Sequence, residues 1–161
     1  MQGPFGFPAS PLLDRLSHSG GRTLRLNRPF FYPIVAYGVN PGGAAVNVIS
    51  IIEGGRPFLW CATAWYAYPG AASMTLNTMP VPDVDVTLFM GAEPLSQDPV
   101  SITALAGAPN TGAKSLRDYG IEPFWLPGTT TIKAGFVNNE AAGSNTYTIR
   151  LILLGIQGTE A

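Results

Sequence analysis

Charge is what this sequence has least of. Only 12% of its 161 residues are Asp, Glu, Lys or Arg, about half the share usual in soluble domains. Ten acidic residues stand against nine basic ones, for a net charge of −1. That balance removes any electrostatic drive toward nucleic acid or anionic lipid. The one basic cluster, Arg15, Arg22, Arg25 and Arg28, lacks interleaved aromatics and reads as a solvated edge strand. A single cysteine, Cys61, sits in the apolar run FLWCATAWYAY and excludes a disulfide within the chain. As a buried thiol it behaves as a small hydrophobe. The single histidine, His18, lies four residues after Asp14, close enough on a helix for the two side chains to touch. No motif supplies a nucleophile for that pair to activate, so a solvated or capping histidine is the simpler account. One His and one Cys are too few ligands for a zinc site. NPGGAAVN lacks the lysine and hydroxyl of a phosphate loop, and no G-x-S-x-G elbow occurs. No apolar run is long enough to span a bilayer. MQGPFGFPASPLLDRL has neither the basic start nor the apolar middle of a signal peptide, so folding in a cytoplasm is expected. No catalytic, cofactor-binding or metal-ligating residue is nominated.

What is present is 46% apolar residues with 19 glycines and 15 prolines. A chain of this length makes one domain, here with an arm, and can bury a core without metals or disulfides. Residues 1–21 are punctuated by Gly and Pro and hold one short helical candidate, SPLLDRLSHS. Ser10 suits its cap, Pro11 its first position, and Asp14 its dipole. Phe5 and Phe7 lie between breakers in this arm, which suggests that it docks on its own domain or on a neighbouring subunit.

From residue 22 to 161 the texture is that of strands. RTLRL, FYPIVAYGV, AAVNVISII, FLWCATAWYAY, SMTLNT, VDVTLFM and PVSITALAG follow one another, with Pro33 marking an edge position or a bulge. GAPNTGAKSLRDYGIEP reads as a surface loop with one helical turn at AKSLRDY. The chain closes with TTTIKAGFVN and SNTYTIRLILLGIQ, joined through NEAAG as a hairpin. Strict alternation puts Phe58, Trp60, Ala62, Ala64 and Tyr66 on one face of their strand, and Leu59, Cys61, Thr63, Trp65 and Ala67 on the other. In the last strand Tyr147, Ile149, Leu151 and Leu153 share a face. The long last strand is apolar on both faces near its end, as a central strand would be. Evenly spaced strands without strand–helix alternation predict an all-β antiparallel sandwich. Its topology is expected to be a jelly roll or a related Greek key, with an immunoglobulin-like sandwich as runner-up.

Two groups of residues remain for function. Asp83 and Asp85 share a strand face, and such a pair can bind Ca²⁺ or serve a glycosidase. A strand start open to water explains them more simply. Trp65, Tyr66, Tyr68, Phe124 and Trp125 are more aromatic area than turns and strand ends usually expose. With Phe5 and Phe7 they are the interface candidates. They also permit a sugar-stacking site built from Trp125 with Asp83 and Asp85.

The closing segments EPFWLPGTTTIKAGFVNN and TYTIRLILLGIQ, with RPFFYPIVAYGV upstream, resemble small structural proteins of tailed-bacteriophage virions. The shared features are an aromatic-Pro entry, a strand, an Asn-rich turn and a strand ending in an aliphatic-Gly motif. The likeness spans about residues 22–157. It implies a β-sandwich that decorates or cements the capsid without catalysis, or else a head–tail adaptor or tail component. It further implies partners in the major capsid protein and in copies of itself as a dimer or trimer, and a place in the virion. A carbohydrate- or receptor-binding module is the alternative, and a hydrolase using the Asp pair the weakest reading.

Overall fold

The computed structural model describes residues 24–70, 81–109 and 112–160. Ten strands run through them: β1 Leu24–Val39, β2 Val46–Ile51, β3 Phe58–Pro69, β4 Val84–Met90, β5 Glu93–Pro94, β6 Val100–Ser101, β7 Lys114–Ser115, β8 Phe124–Leu126, β9 Thr131–Asn138 and β10 Tyr147–Glu160. They form two sheets. The first has the order β1–β10–β3–β7 with β8 also on β3, and the second has β2–β9–β4–β5 with β6 also on β4. Every ladder is antiparallel. The pairing is nested: first strand with last, β2 with β9, β3 with β8, β4 with β5. That is a long hairpin rolled over into two sheets, the jelly-roll connection. The arm at 1–21, its helix, and the SMTLNT strand all lie outside the described residues.

The period-2 pattern accounts for most of the core. Ile149, Leu151 and Leu153 of β10 meet Val84, Val86 and Leu88 of β4 and Ile132, Ala134 and Phe136 of β9 between the sheets. β10 is the central strand of its sheet, flanked by β1 and β3. β1 is an edge strand, which is where Pro29 and Pro33 cost no ladder hydrogen bond.

The closing pair is not a hairpin. β9 belongs to the second sheet and β10 to the first, so the chain crosses the sandwich between them. The two asparagines ahead of the crossover hold it in place. Buried Asn138 donates from Nδ2 to the carbonyls of Val39 (3.3 Å) and Asn145 (3.1 Å), and its Oδ1 accepts from the Glu140 amide at 3.0 Å. Asn139 donates to the Asp83 carbonyl at 2.8 Å and from its side chain to Asp85 at 2.9 Å. A side chain that can both donate and accept is what such a buried crossing requires.

β3 also departs from strict alternation. Ala62 pairs with Leu154 and Trp60 with Gly155, so Cys61 is an extra residue opposite a continuous partner. This bulge reverses the faces beyond it. Phe58 and Trp60 point into the core, and so do Trp65 and Ala67, while Ala62, Ala64 and Tyr66 turn outward. PVSITALAG yields only the two residues of β6 and then a short helix, α1, Ile102–Ala106. Ala and Leu favour that conformation, and Gly107 ends it at φ 75°. The turn expected at AKSLRDY is a 3₁₀ segment, Leu116–Tyr119, opened by a Ser115–Asp118 capping box and closed at Gly120.

Candidate functional site

The β1–β10–β3 sheet is apolar on both faces. An antiparallel sheet with one solvated face normally alternates apolar and polar residues. Here the outer positions of β1 are Phe31, Pro33, Val35 and Tyr37, and those of β10 are Arg150, Ile152, Leu154 and Ile156. Phe31 is 52% exposed and Tyr37 63%. Arg150 stands amid this surface, paired with Val35 on one side and Tyr66 on the other. Its guanidinium lies 6.0 Å from the Tyr68 ring centroid, and its Nε is buried without an acceptor. The other sheet differs. Ile49 and Ile51 are exposed on its outer face, but Lys133, Thr131, Thr87 and Asp85 break up the surface. The open part of the first sheet's outer face is at β1, where Phe31, Pro33 and Tyr37 are exposed beside half-buried Val35, Ile152 and Leu154, whereas the outward residues of β3, Leu59, Ala62, Ala64 and Tyr68, are buried. Exposed apolar residues grouped in this way mark an interaction site.

The nominated aromatics divide. Trp65 is a core residue at 1% exposure, placed inward by the bulge, and its indole donates to the Gly107 carbonyl at 2.6 Å. Tyr68 faces outward but is buried too, in contact with Arg150. Neither is a free surface ring. Tyr66 is half-buried beside the apolar strip. Phe124 packs inward, edge-on to Trp60 at 5.3 Å. Trp125 pairs with Leu59 on the outer face, half-buried, and its Nε1 has no acceptor. Phe5 and Phe7 fall outside the described residues. Sequence reasoning missed Phe31 and Tyr37. The signal was available in FFYPIVAY, where the residues at both parities are apolar.

The acid pair has an ordinary setting. Asp85 lies on the outer face of β4 and accepts from Asn139, and Asp83 is exposed. β4 and the strand carrying Trp125 belong to different sheets, with those side chains on opposite outer faces. A combined sugar site from Trp125, Asp83 and Asp85 is therefore not formed. Among the described residues no three His, Cys, Asp or Glu side chains gather as metal ligands, and no helix is long and apolar enough to cross a membrane.

Cys61 is unsuited to attack. Burial pushes its thiol from 9.0 up to about 12, with Arg117 pulling weakly the other way. The folded chain keeps a proton that the unfolded chain releases near pH 9. The stabilisation is thus intact below that pH and is lost as pH rises toward 12, by about 1.4 kcal/mol per unit. Burial also raises Tyr147, with its Asn145 hydrogen bond opposing and Glu140 adding to the shift. It therefore steepens the fall in every variant that keeps it. The measurement is the urea midpoint at pH 8 and pH 10.5: wild type should lose more than Cys61→Ala.

Among the described residues a concavity interrupts the sandwich. It opens between the sheets on the side away from β1, where β3 and β8 face β4 and α1. The cleft holds about 460 Å³ and is walled by Trp60, Leu88, Leu105, Leu116 and Phe124, with Tyr119 and Ser96 as its polar members. It combines residues from both sheets and three connecting segments, so no local pattern announces it.

Fold and surface together define an all-β jelly-roll sandwich with an apolar outer sheet face. No family model, no curated protein and no solved structure matches the chain.

Proposed function

We propose that this protein is a non-enzymatic virion structural component, a capsid decoration or cement protein. It acts by covering the β1 edge of the outer sheet face, around Phe31 and Tyr37, with copies of itself and with the major capsid protein. The observation that carries the reading is that face, with Phe31 and Tyr37 more than half exposed beside Ile152 and Leu154. Few ions must be stripped of water when it docks, and many weak copies on one shell sum to strong avidity. Jelly rolls serve capsids and also lectins, so fold alone does not choose between them. The separation of Trp125 from the acid pair removes the specific motive for the sugar-binding alternative.

Mass spectrometry of purified virions tests the assignment. A copy number near that of the shell protein is expected; a small fraction of it points instead to the neck or tail. A protein that stays monomeric and never co-sediments with heads overturns the proposal. The face itself is tested by Phe31→Ser combined with Tyr37→Ser. Sedimentation should show self-association and head binding weakened at least tenfold. Because both rings lie outside the core, the urea midpoint should move by no more than about 0.5 kcal/mol.

A further inference from the structure

We propose that the free edge of β2 is a contact between two copies of this chain, which pair their β2 strands antiparallel about a two-fold axis at Ile49. This contact is separate from the Phe31–Tyr37 surface and does not depend on the capsid reading.

Hydrogen bonding around β9 shows which backbone groups the edge leaves free. The Ile52 amide donates to the Thr130 carbonyl at 2.9 Å, so Val46, Val48 and Ser50 also turn their N–H and C=O toward β9. The far side of β9 agrees: the Gly91 amide donates to the Thr131 carbonyl at 2.7 Å, so Thr131, Lys133 and Gly135 serve β4. Asn47, Ile49 and Ile51 therefore aim their backbone groups away from β9. Among the described residues β2 pairs with no other strand.

Edge strands normally carry a guard: a proline, a lysine, a bulge or a covering segment. β1 has Pro29, Pro33 and two register shifts. On the opposite margins β4 is flanked by β5 and β6, and β3 by β7 and β8. β2 reads VNVISI, holds an unbroken register with β9 and has none of these guards. Ile49 and Ile51 are 63% and 61% exposed, and no residue of the strand is buried. A regular, apolar, unguarded edge is a template for another strand.

The occupant that fits is a second β2. A two-fold axis sets a strand against its own sequence, so a strand rich in one charge would repel itself. β2 has no charged side chain. With the axis at Ile49, that residue meets its own counterpart, and Asn47 meets Ile51 on either side of it. All three residues with free backbone groups are then matched, each pair exchanging two hydrogen bonds. The β2 sheets of the two copies become one continuous sheet, with the isoleucines of both gathered on its outer face. Neither copy keeps an open β2 edge, so association closes at two. A strand from elsewhere in the chain would cover β2 only by presenting a new edge of its own.

The test is sedimentation of the full-length chain carrying Phe31→Ser and Tyr37→Ser, which remove association through the β1 face. One strand edge is small beside the roughly 20–30 residues a side of a standard interface, so a dimer with a dissociation constant of about 10 μM is expected. Adding Asn47→Lys with Ile51→Glu should keep that dimer, because the axis then sets opposite charges face to face twice. Adding Asn47→Lys with Ile51→Lys sets like charges face to face twice, and should bind at least tenfold more weakly than the opposite-charge variant. Both changes start from exposed residues whose ladder neighbours on β9, Gly135 and Thr131, are uncharged, so the two urea midpoints should agree. A chain that stays monomeric at about 200 μM, well above that constant, overturns the proposal. So do equal dissociation constants in the two charge variants. Dimers that form only after Phe5→Ala and Phe7→Ala also overturn it, because the edge would then belong to the chain's own arm.

Discussion

Replacing Trp65 by alanine is expected to cost the folded state about 3–5 kcal/mol, the range for truncating a buried tryptophan. The ring is 1% exposed, opposite Leu151 in the β3–β10 ladder and in the same cluster as Ile102 and Ala106 of α1. Its indole also satisfies the Gly107 carbonyl at the end of α1, at 2.6 Å. Truncation therefore leaves a cavity and frees an acceptor at the point where the chain leaves the helix. Trp65→Phe separates the two effects. It keeps most of the apolar volume and removes only the donor, so a loss of about 1–3 kcal/mol is expected. Urea denaturation followed by far-ultraviolet circular dichroism measures both. Were Trp65 an interface ring, as its position near a strand end suggested, Trp65→Ala would leave the midpoint of the isolated chain unchanged and would alter only association.

That contrast shows where the sequence was legible and where it was not. Side-chain parity was readable in β2, β4, β9 and β10, because nothing interrupts their pleat: Val84, Val86 and Leu88 point inward as alternation requires. The all-β sandwich followed from those segments together. Parity failed in β3, where one extra residue at Cys61 reverses every side chain after it. Leu59 and Cys61 are as apolar as Phe58 and Trp60, so polarity offered no mark of the reversal. The closing strands misled for a related reason. A short polar link between two strands has the same composition in a hairpin as in a crossover between sheets. Only Asn138, buried and bonded to both Val39 and Asn145, distinguishes the two, and that is a tertiary fact. The cleft is less legible still, since Tyr119, Leu88 and Leu105 meet only after both sheets have formed.

The bulge has a counterpart in β10, and there the largest loss of stability is expected. Gly155 faces Trp60 across the ladder, immediately beside the register shift. A Cβ at this position would overlap the Leu59 carbonyl oxygen and lie 2.7–2.8 Å from the Phe58 ring. Gly→Ala at a compatible site usually stabilises a protein by about 0.4–1 kcal/mol, through the entropy of the unfolded chain. Here the sign reverses, because the nearest obstacle is backbone of a paired strand and cannot rotate away. The restriction is one of space, as Gly155 is not among the glycines held at positive φ. Gly155→Ala should therefore lose more than about 4 kcal/mol, beyond the usual effect of a point substitution. It is expected to leave little soluble folded protein. Gly54→Ala is the control: the nearest atom to its added Cβ is Thr129 Cγ2 at 3.6 Å, an ordinary contact. Its midpoint should stay within about 1 kcal/mol of wild type, the most that a glycine exchange without strain usually moves it. A second variant identifies the obstacle. Phe58→Ala removes the ring but not the Leu59 carbonyl, so it should fail to rescue Gly155→Ala. Recovery of folded protein in that double variant would place the obstruction in the side chain. The aliphatic-Gly ending of the last strand would then reflect a packing choice and not the backbone approach imposed by the bulge.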